Sequence, residues 1–332
     1  MQITINPYLS VRRLRQCAAI IAPILLPSVV GAQTPPSLGP IVGTSLRANA
    51  NGVLGVLGYS VAPGIGTSSF QIERASTGSP GLILGQLGSG GTMSDSFPLY
   101  LEGYIGYARY DPEFLFSNGQ QDRRLPTRWN SIAGIAGIGW DFHLSEHWVL
   151  RPIVNGLVGY IASDADLFGR YLNFKTDIDL RFLSHGHLNA AGAGGSLVLG
   201  YYRHHEAYEV DMELRSTALW LTTWGDTSPA VRGEANAVSS SLWTRLRWPT
   251  GVEVLNRPLR YVVESTHSNF FADQARALGF NSLTSVGGGL EVDVGGLEVG
   301  AFGVTVQRLR LMGRYFFGPG VSGFSAGIGV SF

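Results

Sequence analysis

Four segments, 206–218, 241–249, 257–266 and 307–317, contain charged residues that are two or four positions apart, with apolar residues between them. Because successive side chains of a β-strand point to opposite faces, each segment would place its charges on one face and its apolar residues on the other. Facing walls that carry both signs of charge can order or select solutes, or the charges can pair and close a narrow, non-conducting interior. The residues predicted to line a pore are Glu209, Asp211, Glu213, Arg215, Arg245, Arg247, Arg260, Glu264, Arg308, Arg310 and Arg314.

A second candidate for chemistry is the run Thr266-His267-Ser268-Asn269. It is similar to the His-x-Ser-Asn constellation of outer-membrane lipid hydrolases, in which histidine and serine share a strand face. Here His267 and Ser268 are adjacent, so a regular strand would point them to opposite sides. A β-bulge could bring them together, and without one a nucleophile–base hydrogen bond cannot form. We therefore predict no catalytic residues, and lipid hydrolysis remains an alternative function.

Motifs for metals and cofactors are weak. His185 and His187 would share a strand face and could begin a metal site, but no third ligand has a recognisable spacing. The acids at 163–166 and 177–179 lack the glycine and the terminal glutamate of a calcium loop. The glycines at 287–289 do not fit a dinucleotide-binding pattern. We expect no metal ligand and no cofactor.

The composition excludes several classes of protein. Only 14% of the 332 residues are charged, with 24 Lys+Arg against 24 Asp+Glu, so there is no basic excess for binding nucleic acid. The 45% of hydrophobic residues is too high for a disordered chain. Beyond residue 32 no run of about 18 apolar residues exists, which argues against a bundle of membrane-spanning helices. The remaining class is an apolar, glycine-rich β protein.

The N-terminus has the form of a secretory signal peptide. Arg12, Arg13 and Arg15 precede an apolar run over 18–30, and small residues lead up to Ala32. A membrane anchor is the alternative, although the run is short and is interrupted by two prolines. The single cysteine lies within this segment, so the exported remainder would have no disulfide and would need another source of stability.

Period-two alternation is clearest at the C-terminus, where apolar residues from Phe324 to Phe332 alternate with glycine and serine. Twelve further candidate strands show related patterns, and aromatic residues, among them Trp129, Trp140, Trp148 and Trp220, recur near the ends of several. The candidates are 66–74, 80–87, 98–110, 130–144, 147–161, 187–203, 206–218, 241–249, 257–266, 281–293, 296–304 and 307–317; the other aromatic residues are Tyr201 and Trp248.

Two architectures use such alternation. In a soluble sandwich the apolar faces meet in a core and the polar faces meet water, whereas in a membrane barrel the apolar face meets lipid and the polar face lines the lumen. Here the polar face is rich in glycine, serine and alanine with clustered arginine and glutamate, which suits a confined lumen. Strands of about 9–11 residues also match a tilted barrel. We therefore predict a closed antiparallel transmembrane β-barrel.

Length then sets the number of strands and the division of the chain. At roughly 22 residues per strand and connection, an even-numbered barrel over 64–332 has about twelve strands, so one of thirteen candidates is false or split. Residues 1–32 are expected to be a cleaved signal peptide and 33–63 a leader or a short segment in the lumen. The longest connections, 111–128, 162–186 and 221–236, are expected to face outside.

The end of the chain resembles a known family. The stretch from Leu309 to Gly318, followed by Gly320 to Phe332, is similar to the end of autotransporter-type outer-membrane barrels, most of all to the small solitary autotransporter β-barrel family. The stretch 61–70 looks like that family's entry into its first strand. The resemblance implies a twelve-stranded barrel, an N-terminal segment in the pore and no established reaction. It also implies that the barrel assembly machinery reads the C-terminal strand through Phe324, Ile328, Val330 and Phe332.

Together these patterns predict an integral barrel in the outer membrane of a Gram-negative bacterium, similar to an autotransporter translocator without a passenger. A narrow pore is one expected property. The expected partners are outer-membrane lipid, the barrel assembly machinery and small solutes, without nucleic acid. The alternatives are an outer-membrane lipid hydrolase and a structural or adhesive surface barrel.

Overall fold

The computed structural model describes residues 54–61, 68–74, 80–110, 129–163, 187–225, 233–254, 256–294, 300–301, 304–305 and 307–331. Within these ranges the fold is almost entirely β, with twelve strands of seven residues or more. They are β1 (Ser68–Arg74), β2 (Pro80–Thr92), β3 (Leu99–Tyr110), β4 (Trp129–Trp140), β6 (Trp148–Ser163), β7 (His187–His205), β8 (Tyr208–Thr223), β9 (Glu234–Val254), β10 (Arg257–Phe271), β11 (Ser282–Asp293), β14 (Arg308–Gly318) and β15 (Val321–Ser331). The short strands are β5 (Phe142–His143), β12 (Gly300–Ala301) and β13 (Val304–Thr305). Two helices, α1 (54–60) and α2 (Ala272–Leu278), complete the described part.

All twelve long strands pair antiparallel with their neighbours along the chain. The first and last strands also pair, with Ser69 opposite Ala326 and Arg74 opposite Val321. β4 pairs directly with β6, although the short β5 lies between them in the chain. Every long strand therefore has a partner on both sides. The predicted all-β fold with about twelve antiparallel strands is confirmed.

Several predicted boundaries differ from the structure. The candidate strand at 296–304 is wrong, because β12 and β13 pair only with each other as a separate two-stranded sheet. β9 is far longer than its predicted nine residues, so Trp248 lies inside a strand, and the connection predicted at 221–236 shrinks to 224–233. The predicted strand 241–249 is too short because small serine and alanine residues continue β9 on its N-terminal side.

Exposure alternates along the strands in the predicted sense. On β15 the side chains of Phe324 and Ile328 are 74% and 57% exposed, while Ser325 between them is buried. On β14 Leu311 is 64% exposed and Arg310 is buried. On these two strands the large apolar side chains face outward and polar side chains face inward, the reverse of what a strand on the surface of a soluble protein shows.

The strands define two ends of the molecule. At the short-turn end, β7 joins β8 through 206–207 and β9 joins β10 through 255–256. At the opposite end, which we call the loop end, β3, β6 and β8 end and β4, β7 and β9 begin. The last strand runs from the loop end to the short-turn end, as follows from its antiparallel pairing with β14.

Helix α1 lies among inward-facing apolar residues at the loop end. Its Leu54 and Leu57 are fully buried in one cluster with residues such as Ile161 near the end of β6 and Leu188 near the start of β7. Gly55 and Gly58 argue against a stable helix in water, yet they permit this packing. A Cβ at Gly55 would lie 2.7 Å from Cβ of Ala277 in α2.

Helix α2 was missed in the sequence although it carries a readable signal. Its residues include three alanines, and Gly279 ends it in the left-handed conformation with φ 74°, donating its N–H to the carbonyl of Ala275. Its shortness hid it, since seven residues between two strong strands fit a connection equally well. Among the described residues, no helix has the length and the apolar character needed to span a membrane.

Candidate functional site

Ion pairs between distant strands show which residues share the enclosed side of the sheet. Glu209 on β8 accepts a hydrogen bond of 2.7 Å from Arg308 on β14, although β9, β10 and β11 lie between these strands in the sheet. Glu102 on β3 likewise accepts bonds of 2.8 and 2.6 Å from Arg215 on β8, with β4, β6 and β7 between them. Such contacts are possible only because the sheet curls around a common interior.

Most predicted residues meet in one cluster at the short-turn end, which we call the arginine network. Ion pairs of 4.0 Å or less join its members. They are Glu209, Asp211, Arg245, Arg247, Arg260, Glu264, Glu291, Arg308, Arg310 and Arg314. Because the strands β8, β9, β10, β11 and β14 stand side by side, alternate residues on each bring their charges to one patch of the inner wall.

Each glutamate in the network is surrounded by several guanidinium groups. Glu264, 3% exposed in its side chain, lies 2.6 Å from Nε of Arg245 and 2.6 Å from Nη2 of Arg314. Glu209 meets Arg260 at 3.0 Å and Arg247 at 3.1 Å, besides the bond from Arg308. Planar guanidinium groups suit such crowded carboxylates because each offers five N–H donors in a fixed geometry.

Sequence reasoning missed Glu291, which lies at the centre of this network. Its side chain is 1% exposed, and its carboxylate lies 2.8 Å from Arg310, 3.5 Å from Arg308 and 3.7 Å from Arg247. Glu291 faces Arg310 directly in the β11–β14 ladder. The signal was available, because 281–293 was a predicted strand and its single glutamate alternates with Leu290 and Val292.

A second polar cluster, the Glu102 network, comprises Glu102, Asn155, Ser196, Arg215 and Thr217. Asn155 donates to Oε1 of Glu102 at 2.8 Å, and Ser196 donates to Oδ1 of Asn155 at 2.8 Å. Arg215 therefore belongs here rather than to the arginine network with which it was grouped. Glu213 is also separate, since its carboxylate accepts a hydrogen bond of 2.6 Å from the hydroxyl of Tyr202.

Asp141 in the turn after β4 makes a third polar contact at the short-turn end. Its carboxylate accepts two hydrogen bonds from Arg151, one from Nε and one of 2.8 Å from Nη2. It accepts a third, of 2.6 Å, from the hydroxyl of Thr92. Burial alone would raise the pKa of the Asp141 carboxyl, but these bonds and the charge of Arg151 hold that pKa below its usual range. Asp141 is thus charged at neutral pH and ties β2 to β6.

The residues of the lipid-hydrolase alternative are held apart. His267 is exposed and its Nδ1 lies 2.9 Å from the hydroxyl of Thr284, whereas Ser268 faces inward and bonds Ser241 at 2.8 Å. The two side chains are on opposite faces of β10, which pairs with both neighbours without a bulge at this point. The expected opposite orientation of His267 and Ser268 is therefore confirmed.

Other predicted positions fall partly outside the described residues. Of the C-terminal assembly residues, Phe324 and Ile328 are exposed, while the side chains of Val330 and Phe332 lie outside the described part. His185 and the acids at 177–179 also lie outside it. Within the residues that the structure does describe, no group of three or more His, Cys, Asp or Glu could hold a metal ion.

Comparison with known proteins gives structural likeness only. No protein-family model and no curated protein matches the chain. The β domain of the Bordetella autotransporter BrkA is 12% identical with a TM-score of 0.42, and the match covers 80% of this chain and 97% of that one. The translocator domain of the autotransporter NalP from Neisseria meningitidis is 12% identical with a TM-score of 0.38, covering 79% of this chain and 84% of that one.

LpxR from Salmonella typhimurium is matched at a similar level, with 11% identity, a TM-score of 0.39, and coverage of 80% of this chain and 99% of that one. All three likenesses concern the fold alone. Two of the three are autotransporter domains, the type of outer-membrane barrel that the C-terminal motif resembles.

Proposed function

We propose that the chain is an integral outer-membrane β-barrel with a narrow pore that helix α1 keeps shut. The observation that carries this proposal is the two-sided wall, with exposed apolar side chains outside and paired charges inside. Such a wall is stable only where the outer surface meets hydrocarbon. In water, the exposed apolar area would be far larger than that of an ordinary monomer's surface patches.

The distribution of charge on the outside supports a membrane. Among the described residues of the long strands, exposed Asp, Glu, Lys and Arg side chains lie only within three residues of a strand end. Exposed aromatic residues occur at both ends, as with Trp148 and Phe142 at the short-turn end and Trp220 and Phe317 at the loop end. This arrangement is typical of two interfacial girdles around an apolar band.

The pairing pattern supports closure into a barrel. Because each long strand pairs on both sides, the described strands leave no whole strand edge unpaired, and an unpaired edge would be costly in lipid. A Gram-negative outer membrane is the location that suits such a barrel. We accordingly assign outer-membrane lipid and the barrel assembly machinery as partners, with the exposed Phe324 and Ile328 on the strand that the machinery would read.

The side chains inside the sheet indicate whether the lumen is open or closed. At the loop end, α1 packs among buried apolar side chains of the surrounding strands, and an apolar constriction blocks ions by excluding water. At the short-turn end the inner wall carries the ion-paired networks. Release of α1 would join this polar half to the outside, so α1 is the segment on which conductance depends.

Planar-bilayer recordings test this proposal. The L54D/L57D variant places two charges at fully buried positions of α1 and should expel it, giving larger and longer conductance steps than the unchanged chain. The L54I/L57I variant keeps the apolar volume and should behave as the unchanged chain does. Folding is checked by heat-dependent gel mobility. Equal conductance in the folded Asp variant and the unchanged chain would contradict the assigned role of α1.

A further inference from the structure

The arginine network contains more positive than negative charge. Among its described members, six arginines face four carboxylates. Even when Asp293, the ladder partner of Arg308, is added to the count, the arginines remain in excess. A cluster built only to neutralise itself would have no reason to carry this surplus.

Hydrogen-bonding capacity shows the same imbalance. Six guanidinium groups offer roughly thirty N–H donors, while four carboxylates offer roughly sixteen acceptor positions. Among the buried donors of the network, Nε of Arg247 and Nη1 of Arg314 have no hydrogen-bond partner. Buried donors of this kind are costly unless a partner is supplied, and the partner that such donors accept is an anion.

The accessible side of the network is also its positive side. The side chains of Arg260 and Arg308 are 22% and 23% exposed, whereas those of Glu264 and Glu291 are almost wholly covered. A solute that enters from the short-turn end therefore meets Arg260 and Arg308 first, together with Glu209, whose side chain is 12% exposed. A cation would find few accessible ligands here, so the geometry favours an anion.

Glu209 shows how such an anion would be held. Its carboxylate sits between Arg247, Arg260 and Arg308, which approach it to 3.1, 3.0 and 2.7 Å. We infer that Arg260 and Arg308 form the entrance of a binding site for a small oxyanion, a carboxylate or a phosphate, and that Glu209 competes with it for the same donors. The inference deepens the proposed function, because it assigns the class of solute to the proposed pore.

Isothermal titration calorimetry tests this site. It measures the binding of inorganic phosphate to the detergent-solubilised full chain at low ionic strength. The unchanged chain should bind phosphate, and the R260Q/R308Q variant should bind at least tenfold more weakly. The R276Q variant is the matched control, because Arg276 in α2 is exposed and outside the network. It should bind as the unchanged chain does.

The E209Q variant gives the sharpest contrast. If Glu209 competes with the solute, E209Q should bind phosphate at least tenfold more tightly, whereas a purely structural Glu209 predicts equal or weaker binding. Absence of binding to the unchanged chain, or equal binding by R260Q/R308Q, overturns the inference. Phosphate binding is measured without any ion current. A negative result in calorimetry can therefore be told apart from a negative result in the bilayer recordings, which test the role of α1.

Discussion

At the loop end, the interior contains α1 and apolar side chains from most of the strands, whereas at the short-turn end it contains the arginine network and the Glu102 network. The first half depends on shape, since Gly55 and Gly58 let α1 approach α2 and β9 within contact distance. The second half depends on charge, since carboxylates such as Glu264 and Glu291 lie among several guanidinium groups.

The comparison shows that two kinds of interaction can stabilise one inner wall, and that they tolerate different kinds of substitution. Apolar packing tolerates exchanges of equal volume but resists added atoms. A buried ion-pair network tolerates neither the loss nor the gain of a single charge, even at constant shape. The charged half should therefore be sensitive to a change of charge at constant volume, and the apolar half to a change of volume at constant charge.

Removal of the central charge should have the largest effect. E291Q keeps the shape of the side chain but leaves Arg247, Arg308 and Arg310 without their shared carboxylate, and we expect the free energy of unfolding to fall by about 3–5 kcal/mol. Denaturant unfolding in detergent, followed by tryptophan fluorescence, measures this loss. E253Q is the control, because Glu253 is exposed on β9 and should change the value by less than about 0.5 kcal/mol. A loss below about 1 kcal/mol in E291Q would remove the contrast between the halves.

Added volume should have the next largest effect, now in the apolar half. G55A brings a methyl group to within 2.7 Å of Cβ of Ala277, so we expect a loss of about 1–3 kcal/mol. The double variant G55A/A277G removes the clashing atom and should recover part of the loss. G91A is the control, because a Cβ there would meet no atom within 4 Å. An unchanged unfolding midpoint in G55A would mean that α1 is not packed as tightly as described.

The sequence revealed the charged half more fully than the apolar half, and the reason is physical. Charges on a strand repeat at every second residue, so Arg245, Arg247 and Glu264 could be assigned to one face without knowledge of their partners. Their grouping could not be predicted, because Arg215 and Glu102 meet across the interior and are 113 residues apart in the chain. Only the order and the curl of the strands decide such contacts.

For the apolar half, the sequence was ambiguous for a different reason. Four glycines between 43 and 58 argued against a helix, and only the surrounding wall stabilises 54–60 as one. The number of strands was predictable because roughly 22 residues per strand and connection divide 64–332 into about twelve strands. The false strand at 296–304 arose because a short hairpin also alternates apolar and small residues.

The smallest expected effect concerns Asp141, which lies in the turn after β4 at the short-turn end. This residue belongs to neither network, so it shows how much a single charge contributes to stability outside the lumen. Its pKa in the folded chain lies below the unfolded value near 3.8, so its charged form stabilises the fold above that value, and this contribution is lost as the pH falls through the folded pKa. At pH 7, D141N should lose about 1.5 kcal/mol, since hydrogen bonds to a charged group are replaced by weaker ones. At pH 2–3 the unchanged chain and D141N should unfold at closer denaturant concentrations, because protonation of Asp141 removes the same charge that the substitution removes. A gap between them that stays constant from pH 7 to pH 2 would show that the charge of Asp141 does not account for its contribution to stability.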